Sequence, residues 1–458
     1  MEKDRLQKGL LPRHIRMMAI GGMIGAGMFK GSGDTLSLAG PGVIFAYLFG
    51  GALLLVVMGA LAEMAGVYPK ADMRYLIEKA FGRQAAFIVG WLYWINWVLV
   101  MAVEIVAAGS FLQYWFQSAP LWLLSFIVAL CVLIVNLANV KYYGEVEFWL
   151  SGVKVMALVL FIILGGTLLF GGFSGGPTPP LKNFMDNGGF LPKGWAGVFS
   201  SLLVVMFSYG GSELIGLTIS ETKNAEQVLP RVIRGVIGRV ALFYTLPLLI
   251  ISGLVPWNHI LQGGSPFVQV LAAVGLKGAA HIMNFVMLTA VFSAANSGMY
   301  ATSRMLYSLA QGGEAPRIFT RVSKHGVPVY GLVVSAVSLF VGVLAAYLTP
   351  ANVFNYLMGI PGFTVMLVWI GIVFAQLKLR TQYPSQPSYK LRLFPYTSLF
   401  TGISLIAIFI SVLLNGQNVV SSIICLAVMA ILFVSARIKQ KSLAGQSQGT
   451  VTERRRQA

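Results

Sequence analysis

Long apolar blocks alternate with short polar or basic stretches along almost the whole chain. Twelve blocks stand out, at about 15–38, 41–66, 86–116, 121–140, 146–171, 196–219, 233–254, 279–311, 329–348, 352–376, 395–415 and 418–437. A helix needs roughly 20 apolar residues to cross a bilayer, so each block is long enough to span one. Together they leave no room for a soluble domain. Strands of a membrane barrel alternate apolar and polar positions, whereas runs such as 158–164 are apolar throughout. The pattern predicts an all-α polytopic membrane protein with twelve transmembrane helices.

Composition sharpens this. Of 458 residues, 57% are apolar and 10% charged, against about 25% charged in a soluble domain. That hydrophobicity excludes a disordered chain, and the absence of a glycine period excludes a collagen-like one. Cys131 and Cys425 both lie in apolar runs. They exclude a disulfide scaffold and a cysteine-rich metal site, and read as two buried thiols. A net charge of +18 ordinarily raises nucleic acid as a partner. Here the basic residues sit in short loops between apolar blocks, so the expected partner is the lipid bilayer and not nucleic acid.

The distribution of those charges orients the chain. With both termini on one side, that side receives 27 of the 33 Lys and Arg, and the opposite loops hold only Lys182, Lys193 and Lys277. Cytoplasmic loops carry the positive excess, so both termini are expected in the cytoplasm of a multi-pass cell-membrane protein. The basic start of the chain leads into a block too long for a cleavable signal. Residues 71–83 carry the pattern of a short amphipathic helix at the inner interface. The polar end of the chain reads as a disordered tail.

Glycine clusters in two of the blocks. The first reads Ile20-Gly21-Gly22-Met23-Ile24-Gly25-Ala26-Gly27-Met28-Phe29, and the sixth reads Phe207-Ser208-Tyr209-Gly210-Gly211-Ser212-Glu213-Leu214-Ile215-Gly216. Each glycine inside a helix costs up to about 1 kcal/mol. Close packing of helices through small residues is one explanation. The matching positions in spans one and six favour another, because paired Gly-interrupted spans in two inverted halves point to a transporter's binding site. Unwinding exposes N–H groups at the start of the outer half-helix and C=O groups at the end of the inner one. The first set suits a carboxylate and the second an ammonium. Two such breaks facing each other form a receptor for a zwitterion, and an α-amino acid is the obvious ligand.

Other motifs accompany these in order: His14-Ile15, Gly31-Ser32-Gly33, Leu38-Ala39-Gly40-Pro41, Gly144-Glu145-Val146-Glu147-Phe148-Trp149, Glu221-Thr222 with Pro230-Arg231, and Asn296-Ser297-Gly298 leading to Ser303-Arg304-Met305-Leu306. The chain thereby resembles the amino acid–polyamine–organocation (APC) superfamily and, within it, the bacterial amino acid transporter (AAT) family of permeases. The resemblance covers spans one to ten. It implies a five-plus-five inverted repeat, the leucine-transporter-like fold, with two extra C-terminal helices. By similarity, the amides of Ala26 and Gly27 would hold the substrate carboxylate, and the carbonyls of Met23, Phe207 and Gly210 its amine. Phe207 would also gate the site from outside. The chain then divides into a cytoplasmic N-terminus (1–14), a first repeat (15–171), an extracellular loop (172–195), a second repeat (196–376), a cytoplasmic loop (377–394), spans eleven and twelve (395–437) and a cytoplasmic tail (438–458).

Ionisable residues within a membrane are costly and mark function by default. Lys154 lies about 12 Å into span five at 1.5 Å per residue. Either it snorkels to the headgroups, or it is a buried amine that binds and releases a proton. The resemblance favours the second, since proton-coupled relatives carry a lysine there in place of sodium, although some exchangers carry it too. Glu213 either caps the second half-helix of span six or joins a proton path. Glu104 either bonds a neighbouring helix or faces the substrate pocket. Glu63 and Arg304, towards the cytoplasmic ends of their spans, read as structural or as an inner-gate ion pair. Lys30 either snorkels outward or disfavours cationic substrates. Ser293, Asn296 and Ser297 offer polar contacts to span one, as packing or as substrate ligands.

Other function classes fare worse. The four histidines, His14, His259, His281 and His325, lack carboxylates at metal-ligand spacing, and no phosphate loop or nucleophile elbow occurs. No enzyme, metal or cofactor is expected. The loops are too short for the nucleotide domain of a pump, and a channel's filter or charged ring is missing. The expectation is a secondary permease that takes up neutral amino acids with a proton by alternating access. An amino acid exchanger of the same fold and a non-transporting amino acid sensor are the alternatives.

Overall fold

The computed structural model describes residues 21–68, 71–137, 140–170, 180–213, 235–260, 264–323, 326–350, 353–387, 389–414, 416 and 419–457, with Arg13, Met17 and Ile233. In chain order the helices are α1 (Ala26–Phe29), α2 (Gly31–Ala39), α3 (Val43–Val67), α4 (Met73–Phe81), α5 (Arg83–Gln113), α6 (Leu121–Asn136), α7 (Val140–Phe170), α8 (Gly194–Tyr209), α9 (Val236–Val240), α10 (Leu246–Leu254), α11 (Pro266–Ala273), α12 (Lys277–Gln311), α13 (Val329–Leu348), α14 (Val353–Leu379), α15 (Tyr396–Leu414) and α16 (Val419–Gln457).

Among the described residues, eight helices are long and apolar enough to cross a membrane, and three apolar helices are shorter, at Leu121–Asn136, Gly194–Tyr209 and Gly238–Leu254. Two of the short ones have local causes. Helix α8 stops at Tyr209, where Gly210 turns the chain to an extended ψ of 144°. The segment after α9 winds as one π-helical stretch, Ala241–Thr245, before α10 begins with Pro247 in its first turn, where proline's missing N–H does no harm. The start of the first expected span and the 214–232 stretch, with the motif residues His14, Glu221, Thr222, Pro230 and Arg231, lie outside the described residues. The chain end departs from expectation: α16 continues as one helix to Gln457, in a stretch that no proline interrupts.

Helix α5 is the centre of the bundle. Its buried face packs α12, α14, α13, α6 and α4. Small residues bring these helices close: a Cβ added to Gly342 of α13 would lie 2.8 Å from the Cα of Ala102, and one on Gly298 of α12 would lie 2.4 Å from Met101. Apolar residues on the outer helices, among them Met156, Ile163, Val337, Ile403 and Ile431, are exposed, as suits a surface that meets lipid tails rather than water. Cys131 belongs to this outer face and is exposed, while Cys425 is buried. The expectation of two buried thiols therefore fails at Cys131, because an apolar run faces lipid and core alike.

One end of α5 carries a polar clasp. Asp72 caps the amphipathic helix α4, accepting from the N–H of Tyr75 at 2.8 Å, and also accepts from Ser308 of α12. Arg74 donates to Glu314 and to Glu78, both at 2.9 Å. Glu63, fully buried, does not pair with Arg304: its carboxylate accepts from Arg380 at 3.0 Å, from the N–H of Leu391 at 2.7 Å and from Gln376 at 3.1 Å. The 377–394 loop folds back over α3 and supplies closer partners than α12 does. Arg304 instead lies over the Tyr300 ring, 3.4 Å from its centre.

Burial pushes the Glu314 carboxyl up from 4.5 to about 7, against the pull of Arg74. A carboxyl raised on folding holds its proton more readily in the folded state, so stability is full below about pH 4.5 and declines as pH rises through about 7. The melting temperature of purified protein is therefore expected to fall across that window, and Glu314→Gln to flatten the fall. Parallel curves for the two proteins would contradict this.

Candidate functional site

The first break lies between Gly21 and Ala26. Gly22 and Met23 turn, Gly25 is extended at φ −139° and ψ −155°, and α1 restarts at Ala26. The second lies at Gly210 and Gly211, the latter at φ +99°, a left-handed conformation that favours glycine. The breaks touch backbone to backbone. A Cβ on Gly211 would sit 2.5 Å from the carbonyl oxygen of Gly22, and one on Gly27 would sit 2.6 Å from the Cα of Ser208. No other residue type fits these two contacts without displacement.

Several of the exposed backbone groups meet a side chain. The Ala26 N–H donates to both oxygens of Glu104 on α5, at 3.1 and 3.0 Å. Lys154 of α7 donates from Nζ to the Gly21 carbonyl at 3.0 Å and is fully buried, so it does not snorkel. The Tyr244 hydroxyl, in the π-helical stretch, reaches the carbonyls of Met23 and of Ser208, the latter at 2.9 Å. It carries one proton and serves one carbonyl at a time. In the second break the Gly211 N–H donates to both oxygens of Glu213 at 3.2 Å, and Trp369 of α14 donates to Glu213 at 3.4 Å. Glu213 thus closes the break itself; the half-helix that it was expected to cap lies outside the described residues.

A cavity of about 20 Å³ lies between the breaks, room for about one water. Of the residues named from the sequence, Met23, Gly27, Phe207, Gly210 and Glu104 line it, and Ala26 sits at its edge through its bond to Glu104. The Phe207 carbonyl accepts from the Gly210 N–H at 3.0 Å. Lys154, Glu213, Ser293 and Asn296 are not among the lining residues. The two α12 residues bond other partners than the first span: Ser293 donates to Glu147 at 2.6 Å, and Asn296 accepts from Asn136 of α6. Lys30 neither snorkels nor faces the cavity. It is buried, donating to Ser110 at 2.8 Å with its ammonium 4.6 Å from the centre of the Phe354 ring.

Three residues escaped the sequence reading. Trp97 lines the cavity from the same face of α5 as Glu104, two turns earlier, and its i, i+7 spacing to Glu104 was the available signal. Tyr244 had none, being one tyrosine in an apolar run. Glu147, fully buried on α7 with Ser151 and Ser293 donating to it at 3.3 and 2.6 Å, stands in a quoted motif but at the edge of its span.

A family model described as amino acid permease matches residues 14–442. The chain is 44% identical to the uncharacterized amino acid permease YvbW of Bacillus subtilis over 92% of this chain and 95% of that protein. It is 39% identical to the gamma-aminobutyric acid permease of the same organism over 89% and 88% of the two chains. With the aromatic amino acid transport protein AroP of Escherichia coli it shares 40% identity over 82% of each.

The contact between the breaks has a direct consequence. Gly211→Ala puts a side chain at positive φ, which costs about 1–2 kcal/mol by itself, and against the Gly22 carbonyl as well. A melting temperature several degrees below that of the parent, read on detergent-purified protein, is expected; an unchanged one would contradict the contact.

Proposed function

Because the chain belongs to the amino acid permease family, we propose that it is a secondary carrier that takes up neutral amino acids together with protons. It does so by alternating access, across a cell membrane that it spans twelve times with both termini in the cytoplasm. The observation that carries the reading is the contact of two unwound segments around one small cavity. Backbone N–H and C=O groups suit the two ends common to all amino acids, and a carboxylate, that of Glu104, already rests on the Ala26 N–H. In this reading the amides of Ala26 and Gly27 receive the substrate carboxylate. The carbonyls of Met23, Phe207 and Gly210 receive its amine.

Apart from Glu104 the described residues of the cavity wall carry no charged side chain, with Trp97, Val100, Ser208 and Ala294 beside Phe207, which favours a neutral side chain. Relatives named for gamma-aminobutyric acid and for aromatic amino acids carry different substrates that share an amine and a carboxylate, as a backbone-based site allows. In this reading Lys154 couples the proton. Its ammonium is buried on the Gly21 carbonyl, and its charged neighbours are Glu147 and Glu104. Gaining or losing a proton there changes what holds the inner end of the first break.

Uptake of a labelled twenty-amino-acid panel into proteoliposomes tests this. Uptake into empty vesicles, raised by an inward proton gradient, is expected. Gly27→Val should abolish binding, since its side chain meets the Ser208 backbone, while Lys154→Ala should still bind substrate but lose the response to the gradient. Flux only into vesicles preloaded with substrate would make the protein an exchanger. Gradient-driven uptake by Lys154→Ala at the parental rate would remove the lysine from the coupling.

A further inference from the structure

The first donor of the restarted helix is taken. Both oxygens of Glu104 lie on the Ala26 N–H, and Oε1 stands 2.5 Å from where a Cβ on Gly25 would be. With the cavity at about 20 Å³, an amino acid's carboxylate has no room to reach that N–H while Glu104 holds it. Two carboxylates on one donor would also repel each other. Binding at this break therefore requires that one carboxylate leave.

We propose that Glu104 is an internal stand-in for the substrate carboxylate: an arriving amino acid takes over the Ala26 N–H, and Glu104 withdraws and takes up a proton from solvent. The proposal rests on the reading of the two breaks as the amino acid site. Once off the amide, an ionised Glu104 would lie in a medium of low dielectric without its donor, which is costly. Among the described residues, the charged and titratable groups that face it are Lys154 and Tyr244. Lys154 acts on it from α7 but is committed to the Gly21 carbonyl. Tyr244 faces it from the π-helical stretch and is engaged with Met23 and Ser208. The cavity neighbours from α8 and α12 are Phe207, Ser208 and Ala294, which do not titrate. A proton is the available neutraliser. The exchange also makes the carboxylate, rather than the side chain, the part of the substrate that releases Glu104.

The test uses full-length protein in detergent, each of the twenty labelled amino acids, and the carboxamide of every one that binds. In weakly buffered solution the unmodified protein should take up about one proton per amino acid bound, and its affinity should rise up to about tenfold for each unit that pH falls. The carboxamides should bind poorly and take up no proton. Glu104→Gln, whose neutral amide holds the Ala26 N–H less strongly, should bind the amino acids about tenfold more tightly at neutral pH and without the proton uptake that Glu104 supplies. Amino acid binding that needs Gly27 but takes up no proton in the unmodified protein overturns the role of Glu104 alone, whether or not the variant folds. No binding of any amino acid, or binding indifferent to Gly27→Val, overturns the site itself.

Discussion

A backbone hydrogen bond left open inside a bilayer has no water to close it, and each one costs several kcal/mol. That constraint governs everything around the two breaks. Unwinding at Gly21–Gly25 and at Gly210–Gly211 frees donors and acceptors, and the surrounding helices supply their partners. Glu104 takes the Ala26 N–H, Lys154 the Gly21 carbonyl and Tyr244 that of Met23, while Glu213 takes the Gly211 N–H. The expensive residues of the membrane interior and the irregular backbone thus offset each other. Neither is tolerable alone: a buried carboxylate needs a donor as much as an orphan N–H needs an acceptor.

The partners come from helices that the bundle holds firmly. Helix α5 brings Glu104 and Trp97 to the cavity, and its two ends are fastened by different chemistry. Near one end Ser110 accepts from Lys30. Near the other Trp91 donates to the Glu314 carbonyl at 3.4 Å, next to the Arg74 ion pair. These points are separated by about 28 Å at 1.5 Å per residue, and the cavity lies between them. The aromatic rings of Tyr47, Tyr209 and Tyr244 brace the second break in a similar way, with Tyr209 donating to the Tyr47 carbonyl at 2.7 Å and sharing a contact of 4.8 Å with the Tyr244 ring.

What could be read from residue types and what could not divides along physical lines. The breaks were legible because a backbone that approaches another backbone admits only glycine, and glycine is visible in a sequence. Glu104, Lys154 and Glu213 were legible because charge inside an apolar block is rare. Their partners were not, since the Glu104–Ala26 bond joins residues 78 apart and the Lys154–Gly21 bond residues 133 apart. Nothing local encodes such pairings. The same gap placed Ser293 and Asn296 against span one rather than against Glu147 and Asn136, and Glu63 against Arg304 rather than Arg380. Apolar runs concealed a second distinction. Lipid and protein core are equally apolar solvents, so Cys131 and Cys425 look alike in sequence and sit on opposite sides of the bundle surface.

A site in which side chains already hold part of the exposed backbone behaves differently from one built to wait. A ligand entering it gains only the difference between its own hydrogen bonds and those it replaces, so under the proposed exchange much of its gross interaction energy would go into displacing Glu104. For a receptor meant to hold its ligand that would be a defect. For a carrier it is an advantage, because the ligand must leave again on the far side, and the side chains that it displaced are at hand to take back the backbone groups as it goes. Under the proposed exchange, the Ala26 N–H and the Met23 carbonyl would keep a partner, loaded or empty. In the proposed role the charged residues nearest the breaks would serve two ends at once: they keep the unwound segments stable, and they would keep the ligand's hold on them moderate.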